Sequence, residues 1–226
     1  MCFSNNAQFL LEILSLFKNI FSGKIFVLYS EPFMLGIFLD IEANGLDVFK
    51  HHCIELAYKI VDLETGSNVE AFQATLLLSQ EEWKTSDPNS LKVNGFSFEI
   101  VKNGTPKKEV ATSIKRSFKK TQISRENSVF ICQNPSFDRQ FFNQIISASE
   151  QESLFLPYHW LDLASMHFAK CSLILKKKPL EVALSKNRIA KLYGLPPEKA
   201  PHRAMAGVDH LILCYKHVIG FTSKHI

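Results

Sequence analysis

The sequence predicts an α/β domain: a mixed β-sheet, made of a three-strand meander plus parallel strands, flanked by helices. Two observations carry this. Strand-like stretches come first and close together, separated by turn signals. Helical and strand-like stretches then alternate along the rest of the chain, the order that builds parallel strands under helices.

The elements follow in order. Leu35 to Ile41 is a short apolar run and predicts a buried strand, closed by the Asn44-Gly45 turn signal. In Ile54 to Val61, Ile54, Leu56, Tyr58 and Ile60 alternate with Glu55, Ala57 and Lys59, the two-residue period of a second strand. Glu64-Thr65-Gly66-Ser67 reads as a hairpin turn, and Val69 to Leu78 as an antiparallel third strand. Residues 79–105 read as irregular. Thr105-Pro106 marks a helix start, with Val110, Ile114 and Phe118 on one face. Ser128 to Cys132 predicts a strand and Phe137 to Ile146 a helix. His159 to Leu163 predicts a last strand or a helix entry. Leu180 to Tyr193 predicts a helix ended by Gly194 and Pro196, and a final helix spans about Ala204 to about Val218.

No internal repeat or second core is visible, so residues 34–226 read as one domain. Residues 1–33 read as an N-terminal extension. Leu10, Ile13, Leu14, Phe17, Ile20 and Phe21 fit one face of an amphipathic helix, but Met34 directly precedes the first strand, so a start at Met34 is the competing reading. The stretch is too short and too charged to span a bilayer, and no signal-peptide pattern is clear.

Composition narrows the class. With 46% hydrophobic and 21% charged residues, the 226-residue chain can bury a core and is not a disordered or coiled-coil protein. Five cysteines without a C-x-x-C pair argue against a disulfide framework or a zinc site, and predict a reduced, cytoplasmic protein. The net charge of +4 is mild, but its placement is uneven. Residues 102–125 hold Lys102, Lys107, Lys108, Lys115, Arg116, Lys119, Lys120 and Arg125 against Glu109 alone, and Lys176, Lys177 and Lys178 form a second cluster. Backbone phosphates are one partner for such patches; a solvated helix face is the other reading. Phe96 and Phe98 could stack on unpaired bases or belong to the core.

Three places carry chemistry. Asp40 and Glu42 are two apart in a strand, so both project from one face of an otherwise apolar segment. Two neighbouring carboxylates repel, and burying them is costly unless one is protonated or a cation sits between them. Hard oxygen ligands on a rigid strand suit Mg²⁺ or Mn²⁺. Asp138 follows a strand-to-turn transition and stands in the first turn of a helix, where negative charge is favoured. His202 precedes the final helix, where a neutral imidazole could take a proton from water near neutral pH.

The order D-x-E, N-x-x-x-D, H-x-A, quoted as LDIEANGL at 39–46, CQNPSFDRQFF at 132–142 and HRAMAGVD at 202–209, resembles the DEDDh family of 3′–5′ exonucleases. That family includes proofreading subunits of bacterial replicases, RNase T and oligoribonuclease. The resemblance covers about residues 35 to 219 and implies an RNase H-like fold for the exonuclease domain. It implies a two-metal mechanism in which Asp40, Glu42 and Asp138 hold two Mg²⁺ or Mn²⁺ ions. His202 would be the proton acceptor, and single-stranded DNA or RNA would be shortened from its 3′ end to nucleoside 5′-monophosphates. Leu46 matches the position that packs on the terminal base. Asn134 matches a polar residue near the site. Asn44 stands where the family usually has Thr, next to Gly45. No membrane partner is implied; a homodimer or a polymerase partner is.

The family's fourth acid stands five residues after the His, which here is Gly207; the nearest acid is Asp209. At about 100° per residue, Gly207 lies about 80° from the apolar stripe of the last helix, and Asp209 about 120° off on the other side. Three readings are open. The helix starts late or bulges, so that Asp209 serves as the fourth ligand. The site works with three carboxylates, helped by water, phosphate or Asp162. Or activity is weakened or lost, leaving an exonuclease-fold module that binds nucleic acid or a polymerase.

Overall fold

The computed structural model describes residues 34–222. The expectations for residues 1–33 lie outside these residues. Strands β1 (Leu35–Ala43), β2 (Cys53–Asp62) and β3 (Asn68–Thr75) form the antiparallel meander. Strand β4 (Ser128–Cys132) runs parallel to β1, and β5 (Trp160–Asp162) parallel to β4. The sheet order is β3-β2-β1-β4-β5. The central β1 is covered on both faces, which is why its sequence is an apolar run rather than an alternation.

Residues 79–105 are not irregular. They hold three short helices: α1 (Gln80–Lys84), α2 (Pro88–Asn94) and α3 (Phe98–Val101). Local capping sets the first two. Ser79 and Glu82 form a capping box, and Asp87 accepts from the Asn89 N–H. Gly95 closes α2 at φ 69°, a conformation that favours glycine. Helices this short contain no full apolar period, so periodicity misses them.

Helix α4 (Lys107–Lys120) follows, with Pro106 in the cap position. Helix α5 (Pro135–Phe142) is shorter than expected and begins and ends earlier; α6 (Ala148–Ser153) comes after it. Helix α7 (Leu163–Leu173) is capped by Asp162, so the expectation of either strand or helix entry at 159–163 is met by both. The helix expected over 180–193 is instead a 3-10 turn, Pro179–Glu181, then α8 (Lys186–Leu192). The last helix, α9, runs Ala204–Val218 as expected.

Two cores sandwich the sheet. On one face Leu35, Ile37, Leu39 and Ile41 pack against α4 and α5 through Ile114, Phe118, Phe141 and Phe142. On the other, Phe38 packs against α8 and α9 through Ile189, Val208 and Leu211. Asp40 and Glu42 continue the Phe38 side of β1. The basic helix α4 therefore lies on the sheet face opposite the two acids, not beside them. Four of its region's cations, Lys102, Lys115, Lys120 and Arg125, pair with Glu99, Glu150, Glu70 and Glu152.

The four cysteines in the described residues are buried free thiols. Phe96 is core, under the Arg203 guanidinium at 4.2 Å, and Phe98 packs on Trp83. Among the described residues no helix is long and apolar enough to cross a membrane.

Candidate active site

Strand β4 pairs with β1 only as far as Phe38↔Ile131. Beyond that point the β4-facing edge of β1 has no strand partner. Asp138, the fourth residue of α5, fills the gap: its Oδ1 accepts the Ile41 N–H at 3.1 Å. A side chain 97 positions away in sequence is thus fastened between Asp40 and Glu42. Asp138 is buried, and burial together with the nearby Asp40 charge pushes its carboxyl well above the ordinary range.

Glu42 is half-buried and makes no hydrogen bond through its carboxylate among the described residues. Burial, then the charges of Asp40, Glu198 and Glu55, push it up to about 8. Asp40 is also raised, burial outweighing the attraction of Lys186. Three carboxyls short of positive charge are what a hard cation would relieve.

One cation is already supplied by the chain. Lys186, the first residue of α8, puts Nζ 3.3 Å from Asp40 Oδ1, 3.0 Å from Glu198 Oε2 and 3.4 Å from the Gly207 carbonyl. Burial pushes its ammonium toward neutrality, but Asp40 and Glu198 overcome this and hold it charged.

Helix α9 is unbroken from Ala204 and neither starts late nor bulges. Gly207 faces the site: a Cβ there would fall 2.2 Å from Asp40 Oδ2. The Asp40 carboxylate occupies the space a side chain at 207 would need. Asp209 is on another face, ion-paired with Lys59 of β2 and more than half exposed, and is not brought to the other acids. Asp162 is also committed: it caps α7 through Ala164 and Ser165 and accepts the Asn134 N–H.

The start of α9 is anchored by a buried acid that sequence reasoning missed. Glu55, opposite Glu42 across β1 and β2, accepts from Arg203 Nε and Nη2 and from the Ala204 N–H at 2.7 Å. It acts as a tertiary cap for the helix. His202, immediately before, is half-buried and donates its main-chain N–H to the Val93 carbonyl. Its charge when protonated is close enough to be felt at Asp40.

Beside Glu42 lies a cavity of about 290 Å³, lined by Gly45, Leu46, Val93 and Phe137 among others. Leu46 is 75% exposed at its mouth, and Phe49, another residue missed from sequence, is 96% exposed on the same loop. Gly45 is required by a close approach, since a Cβ would meet the His51 ring at 2.3 Å. Asn44 is buried, and its amide is taken by His52 N–H, the Glu82 carbonyl and Ser86 Oγ. It shapes the loop and has no free group to offer a ligand. Asn134 is exposed, in the left-handed region at φ 62°, with Oδ1 on Ser136.

The donor set can be tested against divalent ions. The oxygens of Asp40, Glu42 and Asp138 have the hardness such ions prefer. Among the described residues, no group of three His, Cys, Asp or Glu side chains is drawn together closely enough to hold an ion as it stands. Gly207 adds no fourth carboxylate to this set, and the Lys186 ammonium already stands on Asp40.

A family model described as "Exonuclease" matches residues 37–209. The chain belongs to the exonuclease family. Its fold is RNase H-like. Among solved structures it is similar to Escherichia coli exonuclease I in complex with a dT13 oligonucleotide, at TM-score 0.66 and 15% identity over 83% of this chain and 41% of that one. A zinc-bound form of the E. coli exonuclease I–ssDNA complex matches at TM-score 0.60 and 16% identity, over 81% and 40%. The chain thus spans about two fifths of those proteins' length. A search of curated proteins finds no match.

Proposed function

We propose that this exonuclease-family protein hydrolyses single-stranded nucleic acid from the 3′ end with the help of Mg²⁺ or Mn²⁺. The observation that carries the reading is the Asp138–Ile41 hydrogen bond, which fastens the third acid between Asp40 and Glu42. Asp40, Glu42 and Asp138 would hold the divalent cation. When bound, the cation supplies positive charge to the phosphate and eases deprotonation of water.

The chain's own residues do the rest. The cavity beside Glu42 seats the terminal nucleotide, with Leu46 against its base. Phe49 offers a ring face to the next unpaired base. His202 accepts the proton as a water oxygen bonds to phosphorus. The bond from phosphorus to the 3′ oxygen breaks with its electron pair going to that oxygen, which takes a proton from water, releasing a nucleoside 5′-monophosphate and a strand one residue shorter. The oligonucleotides in the similar exonuclease I complexes make single-stranded DNA the first substrate to try, with RNA beside it.

The test is incubation with 5′-labelled single-stranded DNA and RNA, in Mg²⁺, Mn²⁺ or EDTA, beside Asp40→Ala. A metal-dependent ladder that shortens from the 3′ end and vanishes in the variant is the expected result. An undiminished ladder in Asp40→Ala would sink the assignment.

A second reading has its own support. Gly207 and the Lys186–Asp40 pair remove a ligand and add a cation, favouring a weakened or silent enzyme that still binds strands. Salt-sensitive binding without a ladder would establish it.

A further inference from the structure

We propose that the Lys186 ammonium takes the place of one of the two divalent ions, so that the centre loads a single ion. This rests on Asp40, Glu42 and Asp138 being the divalent-cation site.

A lysine ammonium has three N–H donors and no acceptor. Here Nζ donates to Asp40 and the Gly207 carbonyl and is ion-paired with Glu198 at 3.0 Å. The side chain is 10% exposed and that of Glu198 4%, so the cation has been stripped of water and resolvated by the protein. A surface lysine that merely drifts toward an acid is not held this way. Three oxygens around a dehydrated positive charge are the setting a hard metal ion would otherwise need.

The residues that create this setting fit one another. Glycine at 207 leaves room for the Asp40 carboxylate, which any Cβ would strike, and exposes the helix carbonyl to Lys186. Glu198, four residues before His202, supplies the counter-charge that keeps the ammonium from being an isolated buried ion. Asp209 supplies no acid in place of position 207, because it stays with Lys59. With all four acids ionised, four carboxylates and one ammonium leave three negative charges, one fewer than the four carboxylates alone would set against metal.

Counting Mn²⁺ decides the matter without reference to turnover. Electron paramagnetic resonance titration of the full chain should saturate at one Mn²⁺, with an uncoupled spectrum, and binding should disappear in Asp40→Asn. A chain carrying both Lys186→Gln and Gly207→Asp should take up two ions and show a dipole-broadened spectrum. Two ions in the unaltered chain, both lost in Asp40→Asn, would overturn the substitution by Lys186 while leaving the nuclease reading standing. So would a single ion in a folded double variant, since the ammonium would then not be what excludes the second. No binding, or binding indifferent to Asp40→Asn, would instead bring down the cation site itself and the inference with it. The count on the unaltered chain can refute the proposal whether or not the double variant folds.

Discussion

Replacing Glu42 by Gln removes an ionisable group from a place where folding disfavours its charge. Its carboxyl rises from an ordinary 4.5 to about 8, through burial first and then the charges of Asp40, Glu198 and Glu55. An acid with a higher pKa in the folded chain binds protons more tightly there than in the unfolded chain. Raising the pH above 4.5 therefore disfavours the native state progressively, until the folded group also ionises near 8. At about 1.36 kcal/mol per pH unit, the cost at neutral pH is roughly 3 kcal/mol, a ceiling that relaxation around the site lowers. Glutamine keeps the shape and has no such cost. In a domain of this size about 1 kcal/mol moves Tm by 2–4 °C, so Glu42→Gln should melt roughly 5–10 °C higher at neutral pH in EDTA. The gain should shrink toward zero near pH 4.5, where both chains carry a neutral group. Thermal melts followed by circular dichroism across this range are the assay. Saturating Mg²⁺ should narrow the gap, because a cation that needs the ionised carboxylate stabilises the parent chain more. A gain that is flat with pH, or that grows in acid, would show that Glu42 is not charge-starved and would refute the reasoning.

Other outcomes follow from the same geometry. Gly207→Ala should cost about 1–3 kcal/mol in urea denaturation, because its Cβ meets an Asp40 carboxylate pinned by Lys186; a neutral result would place Asp40 elsewhere. Glu55→Ala should cost about 3–5 kcal/mol by leaving Arg203 and the start of α9 without their acceptor, and an unchanged midpoint would contradict the tertiary cap. Burial pushes the Glu55 carboxyl up, but hydrogen bonds from Arg203, Ala204 and Gln73 bring it net below its usual 4.5. The parent's advantage over Glu55→Gln should accordingly be full at neutral pH and fade as pH falls below 4.5, as melts of both chains would show. Phe49→Ala should raise KM for single-stranded substrate severalfold with Tm unchanged; an altered Tm and an unaltered KM would make the ring structural.

Much of the site was legible because its parts are local. Asp40 and Glu42 share a strand face by the two-residue period alone, and the spacing to His202 is read on one helix entry. Helical angle put position 207 nearer the site than Asp209, but the expectation that a late or bulged start brings Asp209 to the metal fails: α9 is unbroken and leaves Asp209 with Lys59. What could not be read are contacts between segments of unrelated pattern. Lys186 is one of 26 basic residues, in a segment whose sequence suggested one long helix and which instead breaks into a 3-10 turn and α8. Glu198 and Glu55 look like ordinary surface acids until the fold buries them. The short helices of 79–105 were hidden for a related reason: caps of one or two residues set them, not a repeating apolar face.

The basic run at 102–125 is a real pattern whose place in the fold the sequence leaves open. Its helix is apolar on the face of Val110, Ile114 and Phe118, and a strand sheet has two faces to receive it. Nothing in the run says which. The structure gives it the face away from Asp40, and half its charge is answered by glutamates. A strand drawn to the carboxylates must therefore be guided by groups on or near the cleft itself. Lys186 is buried in ion pairs and Lys59 is held by Asp209, so neither offers a free charge, while Leu46 and Phe49 offer exposed apolar and aromatic contacts to the unpaired end. Binding at the 3′ terminus should consequently be less sensitive to salt than binding along the strand, and a dinucleotide and a long oligonucleotide compared over one salt series would separate the two.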